Sequence, residues 1–213
     1  MATVTTKTYP TTDMTEFITD ITNIYDWVQV DTTDTDAPKF YVDTDKYICV
    51  KKTAAKLEVH NGAKSAQVIT LTTGTGYVIY TRFAKCKTGV ILQVNVNNNI
   101  EYSPLIIIGT ATNPITNANE KVIFFDSSSS SSTRNCSILS SDNKTNSIDM
   151  HSIASTAFNS KLTTAFKIST KNSLFVMDNA LYLFASELSG FTHGSVTFEG
   201  KNYYMMSTYM LED

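Results

Sequence analysis

Apolar residues recur with a helical period in one N-terminal stretch and with a two-residue period, in short runs, through most of the rest. Met14, Phe17, Ile18, Ile21, Ile24, Tyr25 and Val28 fall on one face at 3.6-residue spacing, which predicts a helix over 13–28. Trp27 sits at the edge of that stripe. Asp13 followed by Glu16 comes close to a capping-box pattern. Such a helix either covers the end of its own sheet or docks on a neighbouring subunit.

The strand signals are more numerous. Phe40–Val42 and Tyr47–Val50 flank an acidic turn, and Leu57–His60 is followed by Asn61-Gly62, a strong hairpin dipeptide, with Gln67–Leu71 as its partner. Tyr77–Phe83 and Val90–Val96 read as long strands. Ile100–Ile108 is interrupted by Pro104, Gly109–Glu120 reads as a loop, and Lys121–Phe125 is another strand. Near the C-terminus, Leu174–Met177 and Leu181–Ala185 flank Asp178-Asn179, and Ser195–Phe198 meets Tyr203–Tyr209 across Glu199-Gly200. The fold class expected is mainly β: an antiparallel β-sandwich or barrel-like set of sheets with an N-terminal helix. A second helix near 148–165 is an option, because Met150, Ile153, Ala154, Ala157, Phe158, Leu162 and Ala165 keep helical spacing.

Six consecutive serines, Ser127–Ser132, open a polar stretch that cannot build a core. The expected organisation is therefore a helix-and-sheet region over 1–125, a Ser/Asn-rich loop or linker over 126–147, and a C-terminal region over 148–213 packed with the first as one domain. The 213 residues suit that size. Charged residues make up only 17% of the chain, against ~25% in ordinary domains, and Thr, Ser and Asn together contribute 69 residues. The surface thus rests on neutral polar groups, with Thr suited to half-exposed strands. A net charge of -3 argues against nucleic acid as a partner. The N-terminus lacks the pattern of a secretory signal, and no apolar run is long enough to cross a bilayer as a helix.

Tests for chemistry return little. Cys49, Cys86 and Cys136 form no ligand pair, and His60, His151 and His193 have no second ligand at zinc spacing. Thr72–Gly76 is not a phosphate-binding glycine loop, and no nucleophile elbow is present. Asp149 with His151, and Glu187 with Glu199, suggest hydrolytic groupings that nothing in the sequence completes. Asp31, Asp34, Asp36, Asp43 and Asp45 invite calcium but read as solvated turn carboxylates. No catalytic residue, metal or cofactor is expected.

Two function classes remain: a structural subunit of an assembly, and a carbohydrate- or cell-surface-binding module using exposed aromatics such as Trp27, Tyr77 or Tyr80. The Met/aromatic run 203–210 cannot place every side chain on one face of a strand, so half of it needs a cover. Candidate subunit contacts are Phe17, Ile21, Trp27, Tyr204, Met206 and Met210. The ending FEGKNYYMMSTYMLED, the start TDMTEFITDITNIYDWV and the Thr/Asn-rich body between them resemble small structural proteins of tailed bacteriophages. That resemblance implies a non-enzymatic part of the tail, baseplate or neck, located in the virion. Its partners would be copies of itself and other virion proteins, with a host-surface glycan as the alternative and no membrane.

Overall fold

The computed structural model of the chain describes residues 1–61, 67–71, 74–96, 105–112, 119–126, 135–139, 145–149, 163–164, 168–169, 174–177, 180–182, 193–198, 200–206 and 209–213. The order is β1 (Thr3–Pro10), α1 (Thr15–Ile24), β2 (Gln29–Asp31), β3 (Lys39–Tyr41), β4 (Lys46–Lys51), β5 (Lys56–Asn61), β6 (Gln67–Thr70), β7 (Val78–Lys85), β8 (Gly89–Val96), β9 (Leu105–Thr112) and β10 (Asn119–Asp126). Shorter strands follow: β11 (Asn135–Leu139), β12 (Thr145–Asp149), β13 (Thr163–Thr164), β14 (Ile168–Ser169), β15 (Leu174–Met177) and β16 (Ala180–Tyr182). The C-terminal strands are β17 (His193–Phe198), β18 (Lys201–Met206) and β19 (Tyr209–Glu212). The fold is mainly β with one N-terminal helix, in a sandwich-like arrangement.

The largest sheet runs β1-β7-β8-β9-β10-β11-β12, with β15 joined to β9 and β14 to β15. A second sheet is the meander β2 to β6, and a third runs β13-β16-β19-β18-β17. Strand β1 reaches across the chain to β7, Thr3 opposite Lys85 through Pro10 opposite Val78. On one face of the large sheet Ile79, Phe83, Leu92, Val94, Ile106, Ile108, Ile123 and Phe125 meet Phe17 and Ile21 of α1 and Phe40, Ile48, Leu57 and Val59 of the meander in one core. Each such fully buried side chain contributes about 1.5–3 kcal/mol.

Alternation sends Ala84, Ile91, Leu105 and Ile107 to the opposite face, and these are buried as well. The third sheet provides that cover. The Tyr204 phenol lies close enough to Arg82 and Cys86 to feel both, and the Thr88 hydroxyl donates to the Glu212 carbonyl at 3.1 Å. Double burial explains why Val90–Val94 and Leu105–Ile108 carry apolar residues in near-continuous runs rather than in alternation.

The helix is shorter than its periodicity suggests. Tyr25 already has extended dihedrals, and Val28 bonds to the Tyr41 carbonyl at 2.9 Å as the chain enters β2. Trp27 donates its indole N–H to the Ile21 carbonyl at 2.9 Å, satisfying one of the carbonyls left open at the helix end. No capping box forms: the Asp13 carboxylate accepts from the Thr15 amide, and Glu16 turns to Lys7. The second helix is corrected at both its ends, since Ile148 and Asp149 belong to β12 and Thr163–Thr164 is β13; residues 150–162 lie outside the described residues. Two strands, β11 and β12, also occupy part of the stretch expected as a loop.

Asn61 extends β5, where it pairs with Lys46, and β5 and β6 pair as expected; residues 62–66 between them lie outside the described residues. Two turn expectations change. Strands β15 and β16 do not form a hairpin; β15 joins β9 and β14, while β16 joins β13 and β19. The run from Tyr203 is two strands, β18 and β19, paired antiparallel with Met206 opposite Tyr209. The β17–β18 hairpin is as expected, with Phe198 opposite Lys201 and Gly200 at a φ of 77° that suits glycine.

Gly89 stands opposite Gly109, and a Cβ added there would lie 2.1 Å from the Ile108 carbonyl oxygen. Gly89→Ala is expected to lower stability by about 1–3 kcal/mol, read as a lower urea midpoint with unchanged slope. A variant as stable as its parent would show that β8 and β9 are not so closely apposed.

Candidate functional site

The side chains singled out for subunit contact sit mostly inside the chain. Phe17, Ile21 and Met206 are completely buried, and Tyr204 is 5% exposed. Tyr203 and Met205 are buried too, so both faces of β18 are covered from within. The cover expected for this strand was a helix, a second sheet or another subunit; the burial is met within the chain itself. Trp27 is half-buried, tilted against Phe40 at 5.5 Å and edge-on to Tyr25 at 5.1 Å. Met210 pairs through its backbone with Leu181 and Met205, and its side chain lies outside the described residues.

Among the described residues the candidate aromatics Trp27, Tyr77 and Tyr80 do not gather into one open platform. Tyr77 is exposed, while Tyr80 stands opposite Thr8 and Asn95 in the large sheet. A row that the sequence did not flag crosses the outer face of the meander: Tyr41 to Tyr47 at 4.8 Å, and Tyr47 stacked on His60 at 4.4 Å with 9° between planes. The facing surfaces of Tyr47 and His60 are thus occupied by each other, and His60 also bonds Glu58 at 2.9 Å. Its signal was the register Tyr41–Tyr47–His60, which depends on knowing the strand pairing.

The acidic loops cap their own turns. Asp31 accepts from the amide and hydroxyl of Thr33, Asp34 accepts from the Asp36 amide at 3.0 Å, and Asp43 accepts from the Thr44 amide and the Lys46 ammonium. Among the described residues no three acidic, His or Cys side chains cluster as metal ligands. His151, Glu187, Glu199 and Cys136 lie outside the described residues or have undescribed side chains.

An open surface runs along β1 and its neighbours. Strand β1 is an edge of the large sheet, bonded only to β7 among the described residues. Its residues from Thr3 to Thr6 are exposed. Lys7 is held down toward α1 by Glu16 at 2.6 Å and Asp20 at 2.8 Å. Tyr9 donates its hydroxyl to the same Asp20 oxygen at 2.8 Å. A groove of about 150 Å³ between β1 and α1 is lined by Thr3, Thr5, Asp20, Asn23, Ile24, Phe83 and Lys85. Lys85 also lines a second cleft, of about 180 Å³, where the β7–β8 turn meets the Tyr25-Asp26 segment. Edge, groove and cleft are therefore contiguous.

No family model, curated protein or solved structure matches the chain.

Two measurements follow. Burial raises the Asp20 carboxyl, but the hydrogen bonds from Lys7 and Tyr9 outweigh it and hold the group below its ordinary value. A carboxyl lowered on folding stabilises above its unfolded pKa, ~3.9, and the effect fades as pH falls through the folded value. Asp20→Asn is expected to cost about 1–2 kcal/mol near neutral pH. It should also flatten the loss of stability below pH ~4, seen in urea titrations across pH. An unchanged acid slope would count against the Lys7–Asp20–Tyr9 contact.

Burial, with Asp213 adding to it, pushes the Cys86 thiol up to about 12, and burial pushes Cys49 up too. Iodoacetamide near pH 8 should leave both unlabelled in the native chain and label both in guanidinium, read by peptide mass spectrometry. Native labelling of Cys86 at the rate of an exposed thiol would contradict its placement.

Proposed function

We propose that the chain is a non-enzymatic structural subunit of a tailed-phage virion, in its tail, baseplate or neck, acting through contacts with copies of itself and with other virion proteins. The observation that carries the reading is β1. It is an eight-residue edge strand, largely exposed, that pairs with β7 and with no other strand among the described residues. Edge strands of that length are usually blunted by lysines, prolines or bulges. Here the one lysine is tied toward the helix by two carboxylates, and the one proline stands at the strand's end.

An open edge of this kind accepts a further strand by main-chain hydrogen bonding, and pairing between copies is how closed or open assemblies are built. The low charge and high Thr content suit a surface that is covered in a particle. The glycan reading has less to stand on, because Trp27 faces inward and the Tyr47 and His60 rings cover each other.

Val4, Thr6 and Thr8 share one face of β1, opposite Tyr9. The test is native mass spectrometry of the purified chain beside a Val4→Lys/Thr6→Lys variant, together with protein identification in purified particles. The parent should assemble at micromolar concentration, and the variant should fold but assemble at least tenfold more weakly. A parent that stays monomeric at high micromolar concentration and is missing from particles would overturn the reading.

A further inference from the structure

The cleft beside β1 has an electrostatic character opposite to that of the chain. The chain carries a net charge of -3, yet Lys85, Lys87 and Lys121 line this cleft against one carboxylate, Asp26. Asp26 is almost wholly exposed and stands 3.5 Å from the Lys85 ammonium. An ion pair so exposed is worth about 0–1 kcal/mol, so a stronger anion can displace it. Lys121 is positioned by the ring of Tyr25, 5.8 Å from its ammonium. Lys87 is exposed in the β7–β8 turn. That turn is held at two points: the Cys86 amide donates to the Gly89 carbonyl at 2.8 Å, and Thr88 donates to Glu212 at 3.1 Å. The floor is made by Val90 and Cys86, both buried. With its thiol pushed up to about 12, Cys86 adds no negative charge at neutral pH. The nearby Asp213 carboxylate is engaged by the N-terminal ammonium at 3.5 Å.

We propose that this cleft binds a single oxyanion, a phosphate or carboxylate group, either alone or carried by one sugar residue. Three ammonium groups around a rigid turn supply charge-assisted donors for an oxyanion's acceptors. The size sets the limit: about 180 Å³ is below the ~300–1,000 Å³ of sites for drug-sized ligands. The ligand is therefore a small group or the end of a larger molecule. The assembly reading does not depend on this site.

The test is amide NMR of the full chain titrated at constant ionic strength with inorganic phosphate, glucuronate, glucose 6-phosphate and glucose. Shifts are expected at residues 85–90 and 121 with the three anions and not with glucose. Equal affinity for phosphate and glucose 6-phosphate assigns the site to the oxyanion alone; a tenfold gain for the latter assigns it to a sugar-borne group. Lys87→Ala and Lys121→Ala should each weaken binding roughly tenfold, while Lys87→Arg keeps it. Both lysines are exposed, so the variants are expected to fold, and an unchanged circular dichroism spectrum establishes it. Shifts spread over the chain's other lysines, shifts that the alanine variants leave unchanged, equal shifts with glucose, or none at tens of millimolar would mean an adventitious ion only and overturn the proposal.

Discussion

Strands β7, β8 and β9 bury both of their faces, and much of the remaining chain is disposed to make that burial complete. One face holds Ile79, Phe83, Leu92 and Ile106, the other Ala84, Ile91, Leu105 and Ile107. A sheet with two apolar faces cannot stand at a surface, because each exposed side chain of that size forgoes about 1.5–3 kcal/mol. Helix α1 and the meander cover the first face; β18 and β19 cover the second. Two of the buried polar residues in the central strands are in register with one another. Arg82 stands opposite Gln93 and donates to its side-chain oxygen at 3.4 Å, with both residues buried between the layers.

The same arrangement brings distant parts of the chain to the β7–β8 turn. Strand β1 pairs along the whole of β7, and Thr88 in the turn holds the Glu212 carbonyl. The N-terminal ammonium lies 3.5 Å from Asp213. The first and last strands therefore both depend on a short turn containing Lys85, Cys86, Lys87 and Gly89. Close approach at Gly89 lets β8 and β9 pack there without a side chain between them. The lysines, unable to enter either core, are turned to solvent and gather around one cleft. Charge separation on an acidic chain is in this sense a consequence of where the apolar faces have to go.

Much of this was legible in the sequence, and the parts that were not have physical reasons. Helical spacing at Phe17, Ile21 and Ile24 located α1, but spacing cannot register that Tyr25 adopts an extended conformation and that Trp27 returns to bond Ile21. Val28 fits the stripe and is nonetheless exposed. Alternation and turn chemistry located β3 to β5 and the β17–β18 hairpin. The Asp178-Asn179 pair misled because two adjacent strands can enter different sheets, and local turn propensity carries no information about which. The burial of Tyr203 to Met206 was foreseen as a need for cover by a helix, a second sheet or another subunit; that the Tyr204 face meets Arg82 and Cys86 was not, since that requires the long-range stacking of sheets. The basic cleft joins residues 25–26, 85–90 and 121, and no short window of sequence contains them. Tyr41, Tyr47 and His60 likewise meet only through strand register.

The account rests on a sheet sealed on both faces and open along one edge. Hydrogen exchange of the backbone amides, resolved by residue on the isolated chain, tests this most directly. Amides of β8 should be among the slowest to exchange. In β1, amides directed at β7 should be protected and those directed outward should exchange rapidly, giving an alternating pattern. Uniform slow exchange along β1, or exchange in β8 as fast as in the short strand β2, would contradict it.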